Sequence, residues 1–232
     1  MDIKIKELGE NIIVNLDYKN NKEFLKKIKE LAQKHESKSD FNKLNYSIVF
    51  NSRKRPYLPV GGWCSRVIDK NGRIQEVLFL DYDEILWRLV ESELKYVQEE
   101  FNLTPFYIFK TTEQLDPNGE LYGNYIAVCL TKRKFREVAE ILRETHIDSS
   151  YKFVPLSYRF KTWVLRLTGK GNKSSPKFKC VIGDLKKEYK QEVSQAHLNI
   201  IKKVYPEIPK IKYKNLDGNS EIYLAGYLTA SK

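Results

Sequence analysis

Residues 76–169 constrain the fold most. An apolar run, Val77–Leu80, leads into Asp81-Tyr82-Asp83. Helical periodicity follows at once in "EILWRLVESELKYVQEEF", with Ile85, Leu86, Leu89, Val90, Leu94 and Val97 on one face. Two apolar strands come next, "TPFYIFKTTE" and "NYIAVCLT". The Asp-Pro-Asn-Gly turn between them makes the pair a hairpin. A second amphipathic helix, "KRKFREVAEILRET", turns Phe135, Val138, Ile141 and Leu142 inward, and "FKTWVLRLTG" reads as a further strand. The order β-α-β-β-α-β is that of the split βαβ unit, ferredoxin-like or RRM-like. We therefore expect an α+β fold with this core over about residues 70–170.

The flanks, 1–69 and 171–232, add strands and helices to one 232-residue domain. "IIVNLDY" suggests strands near the N-terminus. Residues 21–36 place Phe24, Leu25, Ile28, Leu31 and Ala32 at helical spacing, and "YSIVF" is a short strand. "NSRKRPYLPVGGW" reads as a loop from its Pro and Gly content. Asn71-Gly72 supplies a tight turn between "WCSRVID" and "RIQEVLFL". Beyond the basic loop "GKGNKSSPKFK", "LKKEYKQEVSQAHLNIIKKVY" reads as a third helix with Asp184 at its N-cap, and a hairpin around Asp217-Gly218 closes the chain. No run approaches the ~18 apolar residues of a membrane span, and "MDIKIKELGE" has no apolar leader segment. We therefore expect a cytoplasmic location, in a cell or in the host of a virus, and no membrane partner. Cys64, Cys129 and Cys180 lie far apart without a CxxC pair, which fits reduced thiols.

Alternation puts Asp81 and Asp83 on the same face of their strand. Two carboxylates there repel, and a hard divalent cation, Mg²⁺ or Mn²⁺, relieves the repulsion. Such ions position phosphates and stabilise the charge that develops in phosphoryl transfer. The competing reading has the strand already ended and lets Asp83-Glu84 cap the helix that follows.

"LFLDYDE" resembles the first motif of the archaeo-eukaryotic primase superfamily, a hydrophobic strand ending in Asp-x-Asp. That family has an RRM-like catalytic core. "THIDSSYKF" followed by "WVLRLTGKG" is similar to its third motif. The resemblance implies Asp148 as a third catalytic carboxylate and metal ligand beside Asp81 and Asp83, with Arg166 and Lys170 facing phosphates. The family's second motif is a small hydroxyl residue and then a histidine within a strand, contacting the incoming nucleotide. Here the hairpin 106–130 has no histidine, and Tyr125 stands roughly where it would be. Thr111, Thr112 and Tyr125 are the nucleotide-binding candidates of this hairpin. The implied activity is a metal-dependent nucleotidyltransferase, a primase or polymerase replicating a plasmid, a virus or an archaeal-type replicon. Its partners would be a DNA template, nucleotides and a helicase or other replication proteins.

Two alternatives stay open. The same fold could serve as a non-catalytic DNA- or RNA-binding module. Haloacid-dehalogenase-like phosphatases also begin with a strand and Asp-x-Asp, with Thr111 or Thr112 and "CVIGDLKKE" as further motifs. There is no GxxxxGK[ST] loop. The net charge of +11 and pI of about 9.3 favour a phosphate-bearing partner. Basic residues gather in "SRKRP", "KRKFR" and 158–179, which interleaves cations with aromatics. Arg53, Lys54, Arg55, Lys161 and Lys173 are the nucleic-acid-binding candidates.

Overall fold

The structure is a computed structural model. It describes residues 2–7, 10–15, 57–68, 71–157, 162–167, 174–218 and 221–230. The expected helix at 21–36, the strand at 46–50 and the candidates Arg53, Lys54, Arg55, Lys161, Lys170 and Lys173 lie outside the described residues.

Among the described residues the fold is α+β, with eleven strands and four helices. The elements are β1 (Asp2–Glu7), β2 (Glu10–Asn15), β3 (Tyr57–Ile68), β4 (Ile74–Leu86), α1 (Trp87–Glu100), β5 (Phe106–Leu115), β6 (Leu121–Arg133), α2 (Phe135–Arg143), α3 (Ser149–Ser157), β7 (Val164–Arg166), β8 (Lys177–Ile182), β9 (Glu188–Val193), α4 (Gln195–Val204), β10 (Lys212–Leu216) and β11 (Glu221–Ala230). Pairing is antiparallel except for β1 with β11 and β9 with β10.

The centre is β4, whose Val77–Leu80 run is fully buried. It pairs with β6, β6 pairs with β5, and β5 pairs with β8. Helix α1 covers one face: its Val90, Leu94 and Val97 are buried, Trp87 packs on Tyr125, and Glu93 accepts from Tyr82. The other face carries Phe79 and Phe109. They pack against His197 of α4 and Tyr205 just beyond it. Both faces are buried because residues of both parities in β4 and β6 are apolar.

Turn chemistry behaves as the residues dictate. β3 and β4 form a hairpin, Arg66–Ile68 against Ile74–Glu76, and Gly72 takes a φ of 76° in its turn. In the β5–β6 turn Asp116 Oδ1 accepts from the amides of Asn118 and Glu120. The β3–β4 ladder then opens, and β7 pairs with Gly62–Cys64 while β11 runs along the opposite edge of β3. So the strand expected to close the core pairs with β3.

Four local expectations are corrected. Residues 57–63 are strand, because β11 offers a partner for this Pro- and Gly-containing stretch along its length. Residues 84–86 extend β4, and α1 starts at Trp87. The third helix is only its second half. "EYKQEV" alternates, with Tyr189 and Val193 buried, and forms β9; Ser194 then caps α4 by accepting from the His197 amide. Asp184 instead closes a turn onto the Lys186 amide. The segments around Asp217-Gly218 are not a hairpin: β10 pairs with β9, and β11 pairs with β3 and β1.

Candidate metal and nucleotide site

Strand register decides which side chains can meet. Asp81 lies opposite Ile126, Ile126 opposite Phe109, and Phe109 opposite Phe178, so these four form one rung across β4, β6, β5 and β8. Asp83 follows Asp81 on the same face. Asp81 is half-buried and Asp83 exposed.

The strand does not end there. Between Tyr82 and Ile85 the β4–β6 register slips by one residue, and Glu84 takes a left-handed φ of 51°. This is a β-bulge, a device that re-aims side chains and is over-represented beside functional sites. Asn124 of β6 stabilises it, its Oδ1 accepting from the Glu84 amide at 2.8 Å. A second bulge faces it from β5, where Thr111 is the extra residue between Lys110 and Thr112. Between the two bulges β6 must pass close to β5. An ideal Cβ on Gly123 would lie 2.2 Å from the Thr112 carbonyl oxygen, so only glycine fits there without backbone movement.

Neither aspartate caps α1, whose N-cap residue is Leu86. The capping alternative is thereby corrected, because the strand continues three residues past Asp83.

Asp148 comes to the same place. Its amide donates to the Asp81 carbonyl at 3.0 Å. Its Oδ1 accepts from the Tyr151 amide at 2.7 Å and so caps α3. The Asp148 backbone is thus held beside Asp81 on β4, while its carboxylate is turned onto the first turn of α3. In this conformation no three His, Cys, Asp or Glu side chains among the described residues are close enough to share an ion. The donor set still fits a hard cation by kind, because carboxylate oxygens are what Mg²⁺ and Mn²⁺ take.

The nucleotide-binding candidates divide. Thr111 is half-buried at its bulge, and Thr112 is exposed opposite Asn124. Arg166 donates from Nη1 to the Ser174 carbonyl at 2.8 Å. It is also near the Tyr205 hydroxyl: burial pushes that hydroxyl up, Glu207 adds to the rise and Arg166 opposes it. Tyr125 is different. It pairs with Tyr82, one residue out of phase with Asp81, and is fully buried under Trp87 on the α1 face. Its hydroxyl donates to Glu113, which also accepts from Lys110 and Lys179. Burial works against the Glu113 charge, but the two ammonium groups hold its carboxyl below the usual range. This ionic cluster engages the Tyr125 hydroxyl on the α1 face, one residue out of phase with Asp81.

The "KRKFR" stretch is largely committed to structure. Lys132 is buried between Glu192 at 2.6 Å and Asp217 at 3.1 Å. Arg133 donates to the carbonyls of Phe101 and Asn102 just past α1. Trp163 is core, stacked on Phe135. His197, which reads from its helix as a surface or flanking residue, is fully buried, and burial pushes its pKa down to about 4. Its Nε2 donates to the Cys64 carbonyl and its Nδ1 meets the Ser194 hydroxyl at 2.8 Å.

Sequence reading missed Asn124, Glu93 and the bulge at Glu84. Their roles come from a bulge and from a tertiary junction, and neither leaves a periodic signal.

Comparison with known proteins returned no matching family model, no matching curated protein and no matching solved structure.

Proposed function

We propose that this chain is a metal-dependent nucleotidyltransferase acting on nucleic acid, of the primase–polymerase kind, on an RRM-like core. One observation carries the reading: the Asp148 amide is bonded to the Asp81 carbonyl. Residues 67 positions apart thereby share the strand segment that bears the Asp-x-Asp pair. The order β4-α1-β5-β6-α2, the β4–β6–β5 pairing and the two facing bulges support it as well.

In this reading Asp81 and Asp83 would hold Mg²⁺ or Mn²⁺, and Asp148 would add an oxygen not used by its helix cap. A divalent ion there would supply charge stabilisation to a phosphoryl group in transfer. The chain's own part is positional. The bulge fixes the direction of Asp83, Asn124 fixes the bulge, and Arg166 would take phosphate. DNA as template, nucleotides as substrates and a helicase or another replication protein as partner belong to this proposal. So does a cytoplasmic setting.

The test is extension of a primed DNA template with Mg²⁺ or Mn²⁺. Asp83→Asn should lose at least about 100-fold in rate, the equivalent of the several kcal/mol a metal supplies. Extension surviving Asp83→Asn would overturn the reading.

A second reading has its own support. Tyr125, at the motif position of the nucleotide-contacting histidine, faces away from Asp81. That favours the same fold as a non-catalytic nucleic-acid-binding module, for which salt-sensitive DNA binding would persist without any extension. The phosphatase alternative fits less well, since β4 is antiparallel to β6 where a doubly wound sheet needs parallel neighbours.

A further inference from the structure

Glu93 lies on α1, outside the set of acids just described, and its side chain is 9 % exposed. A carboxylate so enclosed needs donors, and three converge on it. The Tyr82 hydroxyl donates to Oε1 at 2.7 Å, the His146 amide donates to Oε2 at 2.9 Å, and His146 Nδ1 also meets Oε2. Tyr82 stands between Asp81 and Asp83. His146 is two residues before Asp148. The bond from the Asp148 amide to the Asp81 carbonyl closes a ring: Asp81, Tyr82, Glu93, His146, Ile147, Asp148 and back. Ile147, between the two arms, is buried.

We infer that Glu93 is a positioning residue, a clasp that holds Asp148 against the strand bearing Asp81 and Asp83. The inference rests on the reading of those three acids as a metal seat. A covalent path of 66 residues separates Tyr82 from Asp148, and Glu93 links that strand to the approach of Asp148 through one side chain. Supporting groups of this kind set metal affinity by orienting the ligands, and their loss typically costs 10–100-fold.

The experiment compares the full chain with Glu93→Ala, Glu93→Gln, Asp148→Ala and the double variant Glu93→Ala/Asp148→Ala. Two readouts are taken: Mn²⁺ affinity by electron paramagnetic resonance, and amide hydrogen exchange over 145–149 against 90–100. Glu93→Ala should weaken Mn²⁺ binding about 10-fold and speed exchange over 145–149 while leaving 90–100 protected. Glu93→Gln, whose amide oxygen still accepts from the His146 amide, should restore part of both. In the Asp148→Ala background, Glu93→Ala should cost no further affinity, because its effect runs through Asp148. Unchanged exchange over 145–149, or equal losses of affinity with and without Asp148, would overturn the clasp and leave the metal seat standing. Failure of the unmodified chain to bind Mn²⁺ would sink the metal seat itself and the clasp's function with it.

Discussion

Asp83 is exposed at a bulge, and Gly123 is pinched beneath it, so the two residues answer to different physics. Removing an exposed carboxylate that sits near another relieves repulsion and touches little packing. Asp83→Ala should therefore shift stability by no more than about 0.5 kcal/mol while abolishing template extension; denaturant titration beside the extension assay checks both halves. Gly123→Ala should do the reverse in origin. Its new methyl meets the Thr112 carbonyl oxygen, the backbone must move, and stability should fall by about 1–3 kcal/mol. Because the displaced segment includes Asn124, extension should fall with it. At this scale the Asp-x-Asp pair was legible from alternation and residue type alone. Asn124 and Glu93 were not, since each acts on a residue distant in sequence: Asn124 on Glu84 and Glu93 on His146.

Among the elements, α4 shows how a short motif seats a layer. Ser194 caps the helix and also meets His197 Nδ1, while His197 Nε2 reaches the Cys64 carbonyl on β3. Ser194→Ala should cost about 1–2 kcal/mol, a lost cap plus an unmade buried bond, measured by thermal unfolding. The histidine predicts a pH dependence. Its pKa is about 4 in the fold and about 6.5 in an unfolded chain. Between those values the unfolded state binds the extra proton, so stability rises with pH there. Acidifying from pH 7 toward 4 should remove up to about 3 kcal/mol, and His197→Gln should remove that part of the slope. Periodicity disclosed α1, α2 and the β5–β6 hairpin because their patterns are local and strong. It misassigned β9, whose "EYKQEV" alternation sits inside a Lys- and Glu-rich run that also suits a helix. It misassigned the first half of β3 as well, since Pro59, Gly61 and Gly62 read as loop until β11, more than 150 residues later, pairs with them.

For the molecule as a whole, the α+β class and the central place of β4 followed from the order of apolar runs. The route of the C-terminal segments did not. β10 and β11 are adjacent in sequence and pair with different strands, and buried Lys132, held by Glu192 and Asp217, ties β6 to the segment between them. Lys132→Ala would leave Asp217 buried without its cation, and a loss of about 3–5 kcal/mol in chemical denaturation is expected. The surplus of basic residues predicts DNA binding that weakens steeply with salt, yet both functional readings share that property. What separates them is whether the acidic stretch of β4 holds an ion. The direct measurement is anomalous diffraction from crystals soaked in Mn²⁺. The account predicts a peak within coordination distance of Asp81 and Asp83, lost in Asp83→Asn. Well-ordered carboxylates with no peak beside them, under Mn²⁺ sufficient for polymerases, would contradict it.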